Sequence, residues 1–189
     1  MNEKLTLDEQ KMLLHVAREA IEHRVWGKKL PLIQKESITS NLQEQGASFI
    51  TLTIRGQLRG CIGALEAHQP LIDDVREHAV AAAFEDPRFP PLGENELSRI
   101  QIEVSRLTRP VPLEYKDADD LLSKLRPYVD GVIIKDGLRR ATFLPQVWEK
   151  IPDPSEFMDH LCYKMGAAHH HWRNKHPDVF TYQVEEFHE

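Results

Sequence analysis

The sequence predicts an α+β fold with a largely antiparallel sheet flanked by helices. Apolar and polar residues alternate over residues 49–54 and 100–105, as they do in half-buried strands. Asp136-Gly137 stands between two apolar segments and is a strong signal for a tight hairpin. Helical patterns lie between such segments without a regular strand–helix–strand repeat, which favours antiparallel pairing.

Caps, prolines and apolar spacing predict the helices. Thr6 and Glu9 match a capping box, and the apolar stripe that follows predicts a first helix ending near Gly27. Pro70 suits the first turn of another helix, which Asp86 should close because a residue before proline disfavours helical torsions. The other predicted elements are a short helix over residues 117–125, a helix over 154–165 and a final strand over 179–187. Residues 30–46 give no single pattern.

Composition limits the class of protein. The chain has 189 residues, 41% of them hydrophobic and 29% charged. This length and composition suit a globular protein with one substantial core, either alone or together with a second, lobed subdomain. A formal net charge of −6 with dispersed basic residues argues against nucleic-acid binding. We find no signal peptide and no segment long enough to span a membrane, and two cysteines suggest reduced thiols. We therefore expect a soluble cytoplasmic protein that binds neither nucleic acid nor membranes.

The hairpin after residue 54 has two candidate registers. A three-residue loop over 55–57 sets Ile50 opposite Ile62 and Ile54 opposite Leu58, apolar against apolar. A two-residue loop shifts the pairing and reverses the faces. We favour the first register, which places Arg59, Cys61 and Gly63 on the face that carries Thr51 and Thr53.

Cys61 is the principal candidate for chemistry, with Arg59 and Glu103 as catalytic partners. A nearby cation favours the reactive thiolate, and a guanidinium also binds anionic ligands. The structural alternatives are a buried thiol for Cys61 and an internal ion pair of Arg59 with Glu103 or Asp86. Because Glu103 lies on the polar side of its strand, it fits either role, but near the thiol it would oppose ionisation.

The remaining candidates are ligand-binding residues and a base. Gly60 and Gly63 expose backbone donors to a ligand or permit close packing. Asp86 and Arg88 form either a capping and salt-bridge cluster or a rigid wall of the same cleft. The candidate bases for the thiol are His78 and His68, and neither spacing is diagnostic.

The histidines at positions 169–171, with His176 nearby, suggest metal binding. Adjacent residues on one element cannot all converge on one ion, and no cysteine or carboxylate completes a familiar spacing. We favour a solvated loop and assign no metal site. No cofactor is identifiable from the sequence.

Four segments carry a family resemblance. Residues 58–63 (LRGCIG), 82–89 (AAFEDPRF), 103–107 (EVSRL) and 143–147 (FLPQV) resemble, in that order, the AMMECR domain family. The resemblance covers roughly residues 10–187. It implies that residues 1–189 form a single α+β domain. This domain would have two unequal lobes, with the smaller lobe inserted within the larger one. Because bacterial and archaeal members are known as protein A of the AmmeMemoRadiSam system, the resemblance also implies two partners, a Memo-like protein and a radical-SAM protein.

Two functions follow as hypotheses. In the first, the protein is an enzyme or ligand-binding component for a small anionic molecule. Its cleft is then lined by Arg59, Cys61, Asp86, Arg88 and Glu103. In the second, it is a non-catalytic adaptor that presents a surface to the two partners, and LRGCIG is structural.

Overall fold

The computed structural model describes residues 4–33 and 38–189, so part of the unassigned segment 30–46 lies outside the described residues. The helices in these ranges are α1 (Leu7–Val25), α2 (Ser40–Gln43), α3 (Leu71–Phe84), α4 (Ala118–Lys124), α5 (Pro154–Lys164) and α6 (His171–Asn174). The strands are β1 (Gln45–Ile54), β2 (Gln57–Gly63), β3 (Gln69–Pro70), β4 (Ile100–Leu107), β5 (Val111–Pro112), β6 (Gly131–Asp136), β7 (Arg139–Phe143), β8 (Asp178–Tyr182) and β9 (Val184–His188).

The chain divides into two compact units. The first contains the described residues up to Leu107 together with Glu185–Glu189, and the second is formed by Thr108–Val184. Each unit has its own hydrophobic core and its own sheet. The predicted α+β class is confirmed, and the β1–β2, β1–β4 and β6–β7 pairs are antiparallel.

The sheet of the first unit has the strand order β2-β1-β4-β9, with β3 pairing against the start of β1. Alternation gives this sheet one apolar face, which carries Ile50, Leu52, Ile102 and Val104. These residues share a core with the apolar stripes of α1 and α3, so we call this the core face. The opposite side, the outer face, carries the polar residues of the same strands.

Helix α1 begins at the predicted capping box. The backbone N–H of Thr6 donates to Glu9 Oε2 at 2.8 Å, and the N–H of Glu9 donates to Thr6 Oγ1 at 3.2 Å. Pro70, predicted in the first turn of helix α3, is instead its N-cap residue, and the helix ends at Phe84, earlier than the expected Asp86. This leaves Asp86 in the loop, where its carboxylate is free to bind other elements.

A buried polar network joins α3 to the core face. The Ser48 hydroxyl donates to Asp74 Oδ2 at 2.7 Å, and His78 Nδ1 lies 3.1 Å from the same oxygen. Hydrogen bonding to Asp74 raises the pKa of His78 against the opposing effect of burial, and the charges of Asp74 and Glu77 raise it further. Protonated His78 therefore stabilises the folded state.

This network predicts a pH-dependent stability. Because the pKa of His78 is raised on folding, its contribution is fully present below the ordinary histidine pKa of about 6.5 and is lost as the pH rises through the raised value. We expect the difference in unfolding free energy between the wild type and His78→Asn, which keeps a donor for Asp74, to shrink over that range. Urea denaturation at a series of pH values measures it. A difference that stays constant with pH contradicts the assignment.

The β1–β2 hairpin differs from the predicted three-residue loop. Ile54 pairs with Gln57, so the loop is the two residues Arg55 and Gly56, with φ angles of 53° and 75°. Both lie in the left-handed region that a two-residue hairpin turn of this kind requires. The predicted pairing of Ile54 with Leu58 is therefore wrong.

A β-bulge restores the predicted register further along the strands. Leu52 pairs with Gly60 and Thr53 with Leu58, so Arg59 is an extra residue in β2. From there Thr51 pairs with Cys61 and Ile50 with Ile62, as predicted. The hydrophobic pairing is therefore kept despite the shorter turn.

Gly60 permits the close approach of α3 to the sheet. A Cβ atom added at this position would overlap the backbone carbonyl oxygen of Ala82 in α3. A Cβ at Gly63 would similarly overlap Ser48 O and the Phe49 side chain. Packing therefore accounts for both glycines of the motif without any ligand.

We predict that Gly60→Ala lowers the free energy of unfolding by about 3 kcal/mol, the upper end of the usual cost of overpacking, because a backbone atom cannot turn aside. Equilibrium urea denaturation measures the loss. Thr53→Ala, on the outer face of the neighbouring strand, is the control and should cost much less. Equal losses in the two variants would show that the contact with Ala82 is not what requires glycine.

The sheet of the second unit has the order β5-β8-β6-β7. The predicted hairpin is present: Asp136 pairs with Arg139, and Gly137 adopts a φ of 61°. The single strand predicted over residues 179–187 is instead two strands in different sheets. They separate at Gln183, whose N–H donates to Thr108 Oγ1 at 2.8 Å and whose carbonyl accepts from the Thr108 N–H at 2.8 Å.

The core of the second unit is built around stacked aromatic side chains. Trp148 lies parallel to Phe157 with their ring centroids 3.6 Å apart, and Trp148 Nε1 donates to the carbonyl of Asp130 at 2.7 Å.

None of the helices in the described ranges has both the length and the hydropathy that a bilayer-spanning helix requires.

Candidate functional site

The outer face of the first sheet brings two candidate residues, Cys61 and Glu103, into one row with Thr51 between them. Cys61 in β2 pairs with Thr51 in β1, and Thr51 pairs with Glu103 in β4. Directly paired residues point to the same face of a sheet. Since neighbouring strands are about 5 Å apart, Glu103 lies two spacings, or about 10 Å, from Cys61. The carboxylate is therefore near the thiol without touching it, and Thr51 lies between them.

Arg59 does not share this face with Cys61, contrary to the sequence prediction. The bulge places both Arg59 and Gly60 opposite Leu52, whose side chain is in the core. Arg59 Nε donates to Glu96 Oε1 at 2.8 Å, and Nη2 donates to Glu96 Oε2 at 3.0 Å and to the carbonyl of Pro90 at 2.9 Å. Its ion partner is thus Glu96, and neither of the predicted partners, Glu103 and Asp86, is bound to it.

The Arg59–Glu96 pair is a structural feature of the fold. Arg59 is only 9% exposed, and its Nη1 is buried without a hydrogen-bond partner among the described residues. The hydrogen bonds to Arg59 lower the pKa of Glu96 despite the opposing effect of burial. A paired guanidinium that is also buried has little capacity left for an external anion, because solvent and solutes do not reach it.

Asp86 and Arg88 close the open edge of β2 at Cys61. The Cys61 N–H donates to Asp86 Oδ2 at 2.8 Å, and Arg88 Nη2 donates to the Cys61 carbonyl at 3.3 Å. Arg88 also donates to Asp86 through Nε at 2.9 Å, through Nη2 at 2.6 Å and through its backbone N–H at 3.1 Å. Unpaired edge groups are a liability in a sheet. The DPRF and LRGCIG segments therefore form one cluster in which side chains replace a missing strand.

The electrostatics of this cluster place a cation beside the thiol. Hydrogen bonds from Arg88, and then the one from the Cys61 N–H, hold the pKa of Asp86 well below its usual range. They do so although burial acts in the opposite direction. The pKa of Arg88 is raised, chiefly by its hydrogen bonds to Asp86, with Cys61 as a further cause. The Arg88 side chain is 54% exposed. Arg88, rather than the predicted Arg59, is therefore the solvent-exposed positive charge next to Cys61.

The Cys61 thiol is half-buried and accepts a hydrogen bond from the Thr51 hydroxyl at 3.5 Å. Neither predicted base reaches it. His78 belongs to the network with Ser48 and Asp74 on the core face, on the opposite side of the sheet. His68 is exposed and lies 3.8 Å from Glu66. Contact with an imidazole therefore does not activate the thiol.

Glu103 is half-buried on the outer face. It has no hydrogen bond or ion pair with any residue in the described ranges 4–33 and 38–189. Asp86 and Glu96 differ from Glu103 in this respect, because each of their carboxylates accepts hydrogen bonds from an arginine.

The histidines 169–171 point to three different partners in the second unit. The His169 ring stacks on Tyr163 at 5.2 Å, His170 Nδ1 lies 3.1 Å from Asp159 Oδ1, and His171 Nε2 lies 2.8 Å from Asp136 Oδ2. Within residues 4–33 and 38–189, no group of three or more side chains is arranged to hold a metal ion.

Sequence reasoning missed Glu96, which fixes Arg59. The available signal was Gly93 followed three residues later by Glu96, since the Gly93 N–H donates to Glu96 Oε2 at 3.0 Å in a cap-like turn. It also did not recognise that Arg88 takes the role expected of Arg59. That exchange follows from the bulge, for which the sequence carries no clear signal.

The chain is similar to known proteins in both sequence and fold. The AMMECR1 family model matches residues 14–187, which is most of the chain. The chain belongs to the AMMECR1 family. A protein of Methanothermobacter thermautotrophicus is 39% identical over 98% of this chain and 96% of its own length. A protein of Methanopyrus kandleri is 37% identical over 100% of this chain and 92% of its own length. The crystal structure of an uncharacterized protein from Pyrococcus horikoshii is 30% identical and matches with a TM-score of 0.75 over 99% of this chain and 94% of that one.

The edge cluster gives a stability prediction for this AMMECR1 protein. We expect Asp86→Ala to lower the free energy of unfolding by about 2 kcal/mol, because it leaves the Cys61 N–H without an acceptor and Arg88 without its partner. Asp86→Asn keeps an acceptor for that N–H and should lose only about half as much. Urea denaturation of both variants tests this, and equal losses would show that the bond to Cys61 contributes nothing.

Proposed function

We propose that the outer face around Cys61 is a small-molecule binding site in which the thiol contacts the ligand and Arg88 attracts its anionic group. The supporting observation is that a guanidinium that is 54% exposed donates to the main-chain carbonyl of Cys61 at 3.3 Å, and the thiol of the same residue is half-buried on the outer face. Of the candidate residues, Arg88 and Cys61 meet at the solvent side of β2, whereas Arg59 is committed to Glu96. Arg88 thus replaces Arg59 as the anion-binding residue of the proposal.

The proposed role of Cys61 is ligand contact first and covalent attack second. A cysteine nucleophile needs either a general base or a neighbouring cation that favours the thiolate. The described surroundings of Cys61 offer the cation, Arg88, and a hydroxyl, Thr51, but no imidazole in contact. Any covalent chemistry at this site would therefore depend on Arg88.

A non-catalytic adaptor is the second candidate function. The observation that favours it is structural: Gly60 and Gly63 serve packing, Arg59 pairs with Glu96, and Asp86 satisfies the backbone of Cys61. On this account the motif maintains the fold, while other surfaces bind the Memo-like and radical-SAM partners that the family resemblance implies. Its distinguishing expectation is a Cys61 whose reactivity does not depend on Arg88.

Three methanethiosulfonate reagents that differ in charge distinguish the ligand site from the non-catalytic adaptor. In the wild type, the anionic ethylsulfonate reagent should modify Cys61 faster than the cationic trimethylammonium reagent, after each rate is divided by its rate with the unfolded chain. Arg88→Gln should lower the anionic rate roughly fivefold, since one nearby charge is worth about 1 kcal/mol in water. The rate with the neutral methyl reagent follows the thiolate fraction that Arg88 supports, so the fivefold change is measured as the anionic rate divided by the neutral rate.

Cys162 is the internal control, because it is fully buried and burial raises the pKa of its thiol. Peptide mass spectrometry separates the two cysteines, and Cys162 should react only after denaturation. If Cys61 also reacts only after denaturation, or shows no charge preference in the wild type, the ligand site is refuted and the adaptor account is favoured.

A further inference from the structure

The outer face carries charges of opposite sign at the two ends of the Cys61 row. Arg88 lies at the edge of the sheet, next to Cys61. Glu103 lies further in, on β4, with Thr51 between it and the thiol. The distance from Cys61 to Glu103 is two strand spacings, about 10 Å. A ligand lying along this row would meet a cation first, then a thiol and a hydroxyl, and finally a carboxylate.

Glu103 has an electrostatic requirement that the described protein does not meet. A half-buried carboxylate loses part of its hydration, and this cost is normally offset by a hydrogen-bond donor or a positive charge. Glu103 has neither within the described ranges, although Asp86, Glu96 and Asp74 elsewhere in the same unit are all bonded. A donor supplied by a ligand would offset the cost.

The side chains around the row set further limits on the ligand. The next row on the outer face holds Thr53 paired with Gln101, so hydroxyl and amide groups continue the polar surface. Leu58 of β2, which pairs with Thr53, is 44% exposed, and Phe49 of β1 packs at the position where Gly63 lacks a side chain. The Cys61 row therefore has Leu58, Thr53 and Gln101 on one side and the Phe49 ring on the other.

We infer that the ligand is dipolar, with a carboxylate or similar anionic group at Arg88 and a protonated amine at Glu103. This inference rests on the proposed ligand site at Cys61. A ligand with anionic groups at both ends would be repelled by Glu103, and one with cationic groups at both ends would be repelled by Arg88. An extended residue spans about 3.3–3.6 Å, so a short peptide or an amino acid derivative of similar length fits the row.

Triglycine and two of its derivatives test the two ends separately. N-acetyltriglycine lacks the amine and triglycinamide lacks the carboxylate, while the backbone is the same. The readout is the protection of Cys61 from the neutral methyl methanethiosulfonate reagent at millimolar probe. We expect triglycine to slow the wild-type reaction at least threefold more than either derivative does.

Glu103→Gln assigns the amine end. In this variant, triglycine should protect Cys61 no better than N-acetyltriglycine does, while protection by N-acetyltriglycine itself is unchanged. Glu19→Gln is the matched control, because Glu19 lies on α1, which packs against the core face on the other side of the sheet. It should behave as the wild type does.

The dipolar inference is overturned if triglycine and N-acetyltriglycine protect equally in the wild type, or if no probe protects. It is also overturned if Glu103→Gln retains the difference between them. These outcomes are separable from a failure of the proposed site. An Arg88-dependent preference of Cys61 for the anionic reagent, without any effect of the probe amine, would retain the site and reject only the dipolar ligand.

Discussion

The extra residue in strand β2 is the constraint on which the site depends. The turn at Arg55-Gly56 is too short for the register that pairs Ile50 with Ile62, and the bulge at Arg59 makes up the difference. One residue of a strand reverses the face of every side chain beyond it. Without the bulge, Cys61 would face α3 and Gly60 would face outward, although the approach of Ala82 leaves no room for a side chain on the core face.

The bulge also separates two chemically different parts of one motif. Arg59 turns toward the segment that carries Glu96, where a two-pronged ion pair holds that segment against the sheet. Cys61 remains on the outer face, and its backbone is satisfied by Asp86 and Arg88. Nearby residues of the motif therefore serve different purposes. Arg59 maintains the fold, whereas the outer face around Cys61 presents a thiol, a hydroxyl and charged groups.

The sequence was sufficient for the features that depend on local pattern and alternation. It predicted the α1 cap, the Asp136-Gly137 hairpin, the outward placement of Cys61 with Thr51, and the position of Glu103 on the same face. It was insufficient where a tertiary contact decides. A bulge leaves no mark in a hydrophobic pattern, so the exchange of Arg59 for Arg88 was not predicted. Likewise, the break at Gln183 depends on its bonds to Thr108, which is distant in sequence.

Arg59 serves the fold, whereas Cys61 lies on the outer face, where we propose the ligand site. A double-mutant cycle of Arg59→Gln and Glu96→Gln, with urea denaturation and the alkylation rate of native Cys61 as the two readouts, separates these roles. We expect a coupling of about 1 kcal/mol or more in the unfolding free energy, with native alkylation rates equal to that of the wild type. A negligible coupling together with an altered alkylation rate in Arg59→Gln would contradict this separation of roles, since Arg59 would then act on the thiol rather than on Glu96.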